Sequence, residues 1–318
     1  MYENDPIGFW KNFRLGTELH ISGSMIYNAL YSFDHIEYFR YEHEVFDFLY
    51  NVAIGLERLQ KIAIILIEHD ELMQLMEQEE FERTLITHNH IDLHNRISKH
   101  RPLSIGKQHM KLLQLISDFY RSTRYSRLNL SSVYSKNQDL HRLLEFLKKE
   151  LGVTEEEGIV DLVANTTRVK RFVGNLIGKL TTELYRIIRN DAGRLNLFTY
   201  EILPYSKCYK IFLAEEFTFE KERHMQKEIL VLLQSGQLKD GSTHFIKGIK
   251  PLPLQDYNST AYLRYLMDIR NNSEILDEMD AILNDNPISK ERREQIDVIG
   301  NKHVHFSVDE DEFENDWE

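Results

Sequence analysis

The sequence predicts an all-α protein, a multi-helix bundle with at most one small β-hairpin. Three observations carry this expectation. Among 318 residues only 14 are Gly and 6 are Pro, too few punctuators for a turn-rich β protein. Apolar residues recur in alternating steps of four and three, the period of one helix face. The stripes also stop where helices should, at Gly152 and ahead of Pro102.

Taken in order, a first helix is expected over Met25–Leu30. The next is the clearest: Val45, Leu49, Val52, Leu56, Leu59, Ala63 and Leu66 form an unbroken stripe. "LMQLMEQEEF" extends a helix from Glu71 towards Phe81. Thr87 and Asn89 are suited to cap a short helix from His90 to Ser98. "HRPLS" breaks it. A long helix follows, with Leu112, Ile116 and Phe119 on one face, then another from Leu140 to Leu151. Val169, Phe172, Leu176, Leu180, Leu184 and Ile188 mark a further long helix, and Glu215–Leu233 another. "KDGS" sits between short apolar groups and allows one hairpin near residues 236–254. "TAYLRYLMDI" and "SEILDEMDAIL" return to helix. The organisation expected is a helical bundle over 1–151, a second helical region over 152–300, and an acidic tail over 301–318.

With 51 acidic against 39 basic side chains the formal charge is −12, so no generally cationic nucleic-acid-binding surface is expected. The acids crowd into "HFSVDEDEFENDWE", His305–Glu318, which reads as a solvated tail or as an arm for a protein partner. One cysteine, Cys208, excludes an internal disulfide and any multi-cysteine zinc site, and a reducing, cytoplasmic setting is the simplest expectation. The N-terminal residues lack a basic-then-apolar signal pattern. No apolar run nears the ~20 residues of a membrane span.

His88, His90 and His94 crowd into "THNHIDLHNR". On a helix His90 and His94 lie one turn apart, the spacing by which two imidazoles chelate a metal, with His88, Glu57 or His69 as a third ligand. Leu93 and Ile97 share that face and point it at the core, where a histidine bonded to a neighbour is the commoner outcome; no metal and no cofactor are expected. "YRSTRYSRLNL" (Tyr120–Leu130) and "YRIIRNDAGRLNL" (Tyr185–Leu197) echo one another. Their arginines, Arg121, Arg124 and Arg127 in one and Arg186, Arg189 and Arg194 in the other, either bind free carbonyls at helix ends or hold phosphates of a nucleic acid.

The order of these motifs carries a resemblance. A helix bearing "GLERLQKIAIILIEHD", a helix opening "THNHIDLHNRI" and a long helix ending "FYRSTRYSRLNL" resemble the HEPN superfamily of small helical bundles, over about residues 25–150. Glu57 and Lys61 match its glutamate and lysine, and Thr87, His88 and Asn89 its polar helix opening. The resemblance implies a protein of a prokaryotic defence or toxin–antitoxin system and, in many members, a metal-independent endoribonuclease. It also implies a site in which an arginine and a histidine, separated by a short spacer, meet their copies across a homodimer. Arg14 with His20, and Arg83 with His88 or His90, have that spacing. Histidine would act as general acid or base on the 2′-hydroxyl while arginine stabilises the phosphorane, with Arg124 and Arg127 assisting and Glu57 and Lys61 as structural polar residues. The long helix ending "RSTRYSRLNL" has no histidine at the position the family uses, so the implied site is rebuilt or lost.

Other chemistries find less support. There is no P-loop and no GxGxxG, and "ISGSM" lacks the second glycine of a nucleophile elbow. Two readings of function follow: a HEPN-like protein that binds or cleaves RNA, and a non-catalytic interaction module whose acidic tail docks a partner.

Overall fold

A computed structural model describes residues 5–69, 75–130, 138–154, 163–197, 202–238, 240–252, 259–267, 273–285, 287–301 and 303–306. Among these residues all regular secondary structure is helical, apart from one isolated antiparallel bridge between Tyr38 and Ala164. Two compact units follow one another along the chain, Met1–Phe219 and Glu220–Glu318.

The first unit holds α1 (Pro6–Phe9), α2 (Leu15–Asp34), α3 (Glu42–Glu68), α4 (Leu75–Thr84), α5 (His90–His100), α6 (Lys107–Arg121), α7 (Asp139–Leu151), α8 (Thr167–Arg194) and α9 (Lys207–Phe212). Its axis is α3, whose 27 residues span about 40 Å. Phe48, Leu49, Val52, Leu56, Leu59, Ile62 and Ile64 are buried on every side of it, and a helix apolar all round must be enclosed. Accordingly α2, α5, α6, α7 and α8 all pack against it. α2 approaches closely at Gly55: a Cβ there would stand 2.6 Å from Ile26 Cγ1, and Ser22 Oγ donates to the Gly55 carbonyl at 2.7 Å.

Local signals place the helix ends. Asn89 caps α5 by accepting from the Ile91 and Asp92 amides, as expected from sequence, and Gly152 closes α7 in the left-handed conformation. Thr166 caps α8. The Asn165 side chain donates to the carbonyls of Phe33, in the last turn of α2, and of Ile36 just beyond it. Between α1 and α2, Trp10–Arg14 forms a π-turn in which the Leu15 amide donates to the Trp10 carbonyl.

Several expectations change. α2 begins at Leu15 rather than Met25, because "ISGSM" continues the helix; Gly23 serves the approach of α9, where a Cβ would meet Cys208 Cα at 2.8 Å. The unit boundary lies after Phe219 rather than near 152. The reason is α8, whose Val173, Ile177, Leu180, Leu184 and Ile188 join the same core as α3. The helix expected from Glu215 begins at Glu220, after left-handed backbone at Glu215 and Phe219.

The second unit contains α10 (Glu220–Gln234), α11 (Gly241–Gly248), α12 (Ser259–Met267), α13 (Ser273–Asp285) and α14 (Lys290–Asp297). The conceivable hairpin at "KDGS" is instead the start of α11: the Asp240 side chain accepts from the Thr243 amide at 2.7 Å, so Asp-Gly here is a helix cap and not a β-turn. The Tyr262 hydroxyl of α12 bonds Glu278 of α13. Among the described residues of this unit only Ile275 is buried. Most of the acidic tail, residues 307–318, lies outside the described residues. Among the described residues no helix is long and apolar enough to cross a membrane.

Candidate functional site

A cleft of about 480 Å³ runs along α3 and is lined by that helix's Tyr50, Ile54, Glu57, Arg58, Lys61, Ile62 and Ile65. Trp10, Leu15, Glu18, Leu85, His88 and Tyr120 complete the lining. Its size suits a small organic ligand or one unit of a polymer.

At the centre is a carboxylate shared by two bases. Glu57, nearly buried, accepts from Lys61 Nζ through Oε1 at 2.6 Å and from His88 Nδ1 through Oε2 at 3.0 Å. Burial alone would raise the Glu57 carboxyl, but the Lys61 and His88 bonds outweigh it and hold the group below the usual range. An ionised carboxylate can only accept, so His88 carries its hydrogen on Nδ1, and Nε2 has no partner among the described residues. The His88 side chain is half exposed. Its ring meets the Tyr120 ring edge-on at 5.3 Å. Burial pushes the Tyr120 phenol up, so it remains a protonated donor at neutral pH.

The loop carrying His88 is fixed on both sides. The Asn89 amide donates to Thr87 Oγ1, and Ser117 of α6 donates to Asn89 Oδ1 at 3.1 Å. Gln60 on α3 grips His90 twice, donating to its carbonyl and bonding its Nδ1, both at 3.0 Å. His90 is fully buried, and that burial brings its imidazole down to about 4.

The residues singled out from sequence separate accordingly. His88, Glu57 and Lys61 meet in the cleft. His90 is sealed and neutral and serves the packing of α5 on α3, so it is no candidate for proton transfer in the cleft. Arg83 lies exposed on α4 with Glu79 as its partner, and it is not among the cleft residues. Arg121 and Arg189 are exposed. Arg124 lies over the Tyr120 ring at 4.0 Å and the Tyr125 ring at 4.7 Å, beside the cleft. The Arg127 side chain lies outside the described residues.

Arg186 and Arg194 are engaged by their own helix, through Glu183 at 2.9 Å and Asp191 at 2.8 Å, and Arg194 also donates to the Leu66 carbonyl. Of the second arginine group, Arg194 alone is shown on a backbone carbonyl among the described residues. The sequence echo has no structural counterpart: the first copy runs from the end of α6 into a 3-10 turn, Thr123–Leu128, and the second lies mostly within α8. His94 bonds Ser98 Oγ at 3.3 Å. Among the described residues no group of three His, Cys, Asp or Glu side chains is arranged to hold a metal.

Sequence reasoning missed Trp10, Glu18, Tyr50, Arg58 and Tyr120. Tyr50, Glu57 and Lys61 follow each other at helical spacing, a signal that was present. The contributions of Trp10, Glu18 and Tyr120 depend on packing between distant segments. Comparison with protein-family models, with curated proteins and with solved structures finds no match.

Proposed function

We propose that this cleft is a metal-independent acid–base site acting on RNA, in a HEPN-like protein of a prokaryotic defence or toxin–antitoxin system. The observation that carries the reading is His88: an accessible imidazole whose Nδ1 is oriented by a buried, ionised carboxylate. Its Nε2 lone pair takes the proton of a ribose 2′-hydroxyl as that oxygen attacks the adjacent phosphorus. The P–O5′ bond breaks, the imidazolium returns a proton to the departing 5′-oxygen, and a 2′,3′-cyclic phosphate remains. Lys61 and Arg58 are the cleft cations available to the phosphorane oxygens, in the role expected of Arg83. Tyr50 and Tyr120 offer rings to a base. Homodimerisation and a cytoplasmic setting belong to the same proposal.

The test is purified protein with total RNA, with and without EDTA. Cleavage unaffected by the chelator and reduced at least ~100-fold in His88→Ala supports the reading. RNA left intact, with no salt-sensitive binding, ends it.

One observation favours a second reading, an interaction module. Met225, Ile229, Val231, Leu232 and Leu233 of α10 are exposed, an apolar concentration characteristic of docking helices. The acidic tail would add to such a surface. Under this reading RNA is untouched, and charge-introducing substitutions at Ile229 and Leu232 release a bound protein.

A further inference from the structure

The cleft contains a second ion pair, of which the acid–base reading uses only the cation. Arg58 of α3 donates through one terminal nitrogen to Glu18 of α2, and both side chains are 39% exposed within the cleft wall. Among the described residues Glu18 is the only partner of Arg58. The two cations of the cleft therefore differ in kind. Lys61 is tied to Glu57, whose carboxylate is only 10% exposed and also holds His88. Releasing Lys61 would leave a nearly buried charge short of a partner. Releasing Arg58 leaves Glu18 to water.

We infer that Arg58 is the phosphate receptor of the cleft and that Glu18 is its built-in competitor, occupying the guanidinium until a phosphate-bearing ligand displaces it. This rests on the cleft being the functional site, though not on RNA being cleaved there. A half-exposed pair held through one nitrogen contributes little to stability. A phosphate offers the guanidinium two parallel charge-assisted bonds in place of one. Trp10, Tyr50 and Tyr120 line the same space, so the phosphate of a nucleotide suits the cleft better than the free ion.

Trp10 supplies the signal. In a Trp317→Phe background, where Trp10 is the one tryptophan left, its fluorescence is titrated with inorganic phosphate and, separately, with adenosine monophosphate. A saturable change is expected with both. Glu18→Gln should tighten phosphate by roughly two- to fivefold, the range of an exposed ion pair, and loss of fold cannot mimic that gain. Arg58→Gln, with its helical circular dichroism intact, should weaken phosphate at least about tenfold. Tighter binding of the nucleotide supports a nucleotide as the source of the phosphate; equal binding supports the free ion. An unchanged or weaker affinity in Glu18→Gln, or a wild-type affinity in Arg58→Gln, overturns the assignment. Phosphate bound with RNA uncut leaves the receptor standing and removes the acid–base reading. RNA cut by a protein whose phosphate affinity ignores both substitutions does the reverse.

Discussion

Acidification should loosen this protein through His90, and the size of the effect follows from its surroundings. The imidazole is fully buried and bonded to Gln60 through Nδ1, while Nε2 has no partner among the described residues. Burial disfavours the cation most; Glu57 opposes that, and Lys61 and His88 add to it, leaving His90 at about 4 against 6.5 for a free histidine. The folded protein thus refuses a proton that the unfolded chain accepts. Stability from this residue is whole above 6.5, falls as pH drops through the window, and stops falling near 4. At ~1.36 kcal/mol per pH unit the loss across the window approaches about 3 kcal/mol. Urea unfolding followed by circular dichroism at several pH values measures it, with His90→Gln as the comparison. That variant should be less stable at neutral pH, yet its stability should decline less between neutrality and the lower end of the window. The gap between the two proteins therefore narrows across the window. Curves that run parallel through the window refute the argument, because then the buried imidazole is not what the acid titrates.

Three other predictions are simpler. Gly55→Ala should cost about 1–3 kcal/mol, since the new methyl must be accommodated against Ile26; a differential scan should register this as a melting temperature lower by several degrees. Glu183 accepts from Lys179, Arg186 and the Ser104 amide, and against the upward push of burial these bonds bring its carboxyl down to about 2. Glu183→Gln should therefore destabilise by about 1–2 kcal/mol at neutral pH, with the difference shrinking as acid approaches the folded value and protonates wild-type Glu183; a deficit that persists undiminished in acid sinks the claim. Cys208 is buried, and that burial pushes its thiol up to about 12, so an alkylating reagent at neutral pH should modify it only after denaturant is added.

The elements legible in the sequence were those whose signals are local. The Val45–Leu66 stripe became α3, Asn89 capped α5, and Gly152 ended α7. Asp240-Gly241 was ambiguous because the same dipeptide suits a hairpin turn and a helix start, and the Thr243 amide decides between them only in three dimensions. The early start of α2 likewise involves packing between distant segments: Gly23 lies inside the helix where α9 packs on it. At the site, Glu57 and His88 stood out as residue types, but their bond joins positions 31 apart, and Glu18 and Arg58 are 40 apart. Nothing in a single sequence pairs such residues. Arg83 and His90 had the right spacing along the chain and were sent elsewhere by the fold, one to solvent and one to the core.

The π-turn at Trp10–Arg14 amounts to one surplus residue wound into the N-terminal helix. In a regular helix, side chains five positions apart diverge by about 140°; here Trp10 and Leu15 both face the cleft. The contribution of Trp10 to the cleft thus depends on a phase slip. Removing one amino acid from that stretch should restore ordinary winding with Trp10 four positions from Leu15, about 40° apart and on one face, so the indole should keep its place; keeping all five residues but winding them regularly is what would swing it away.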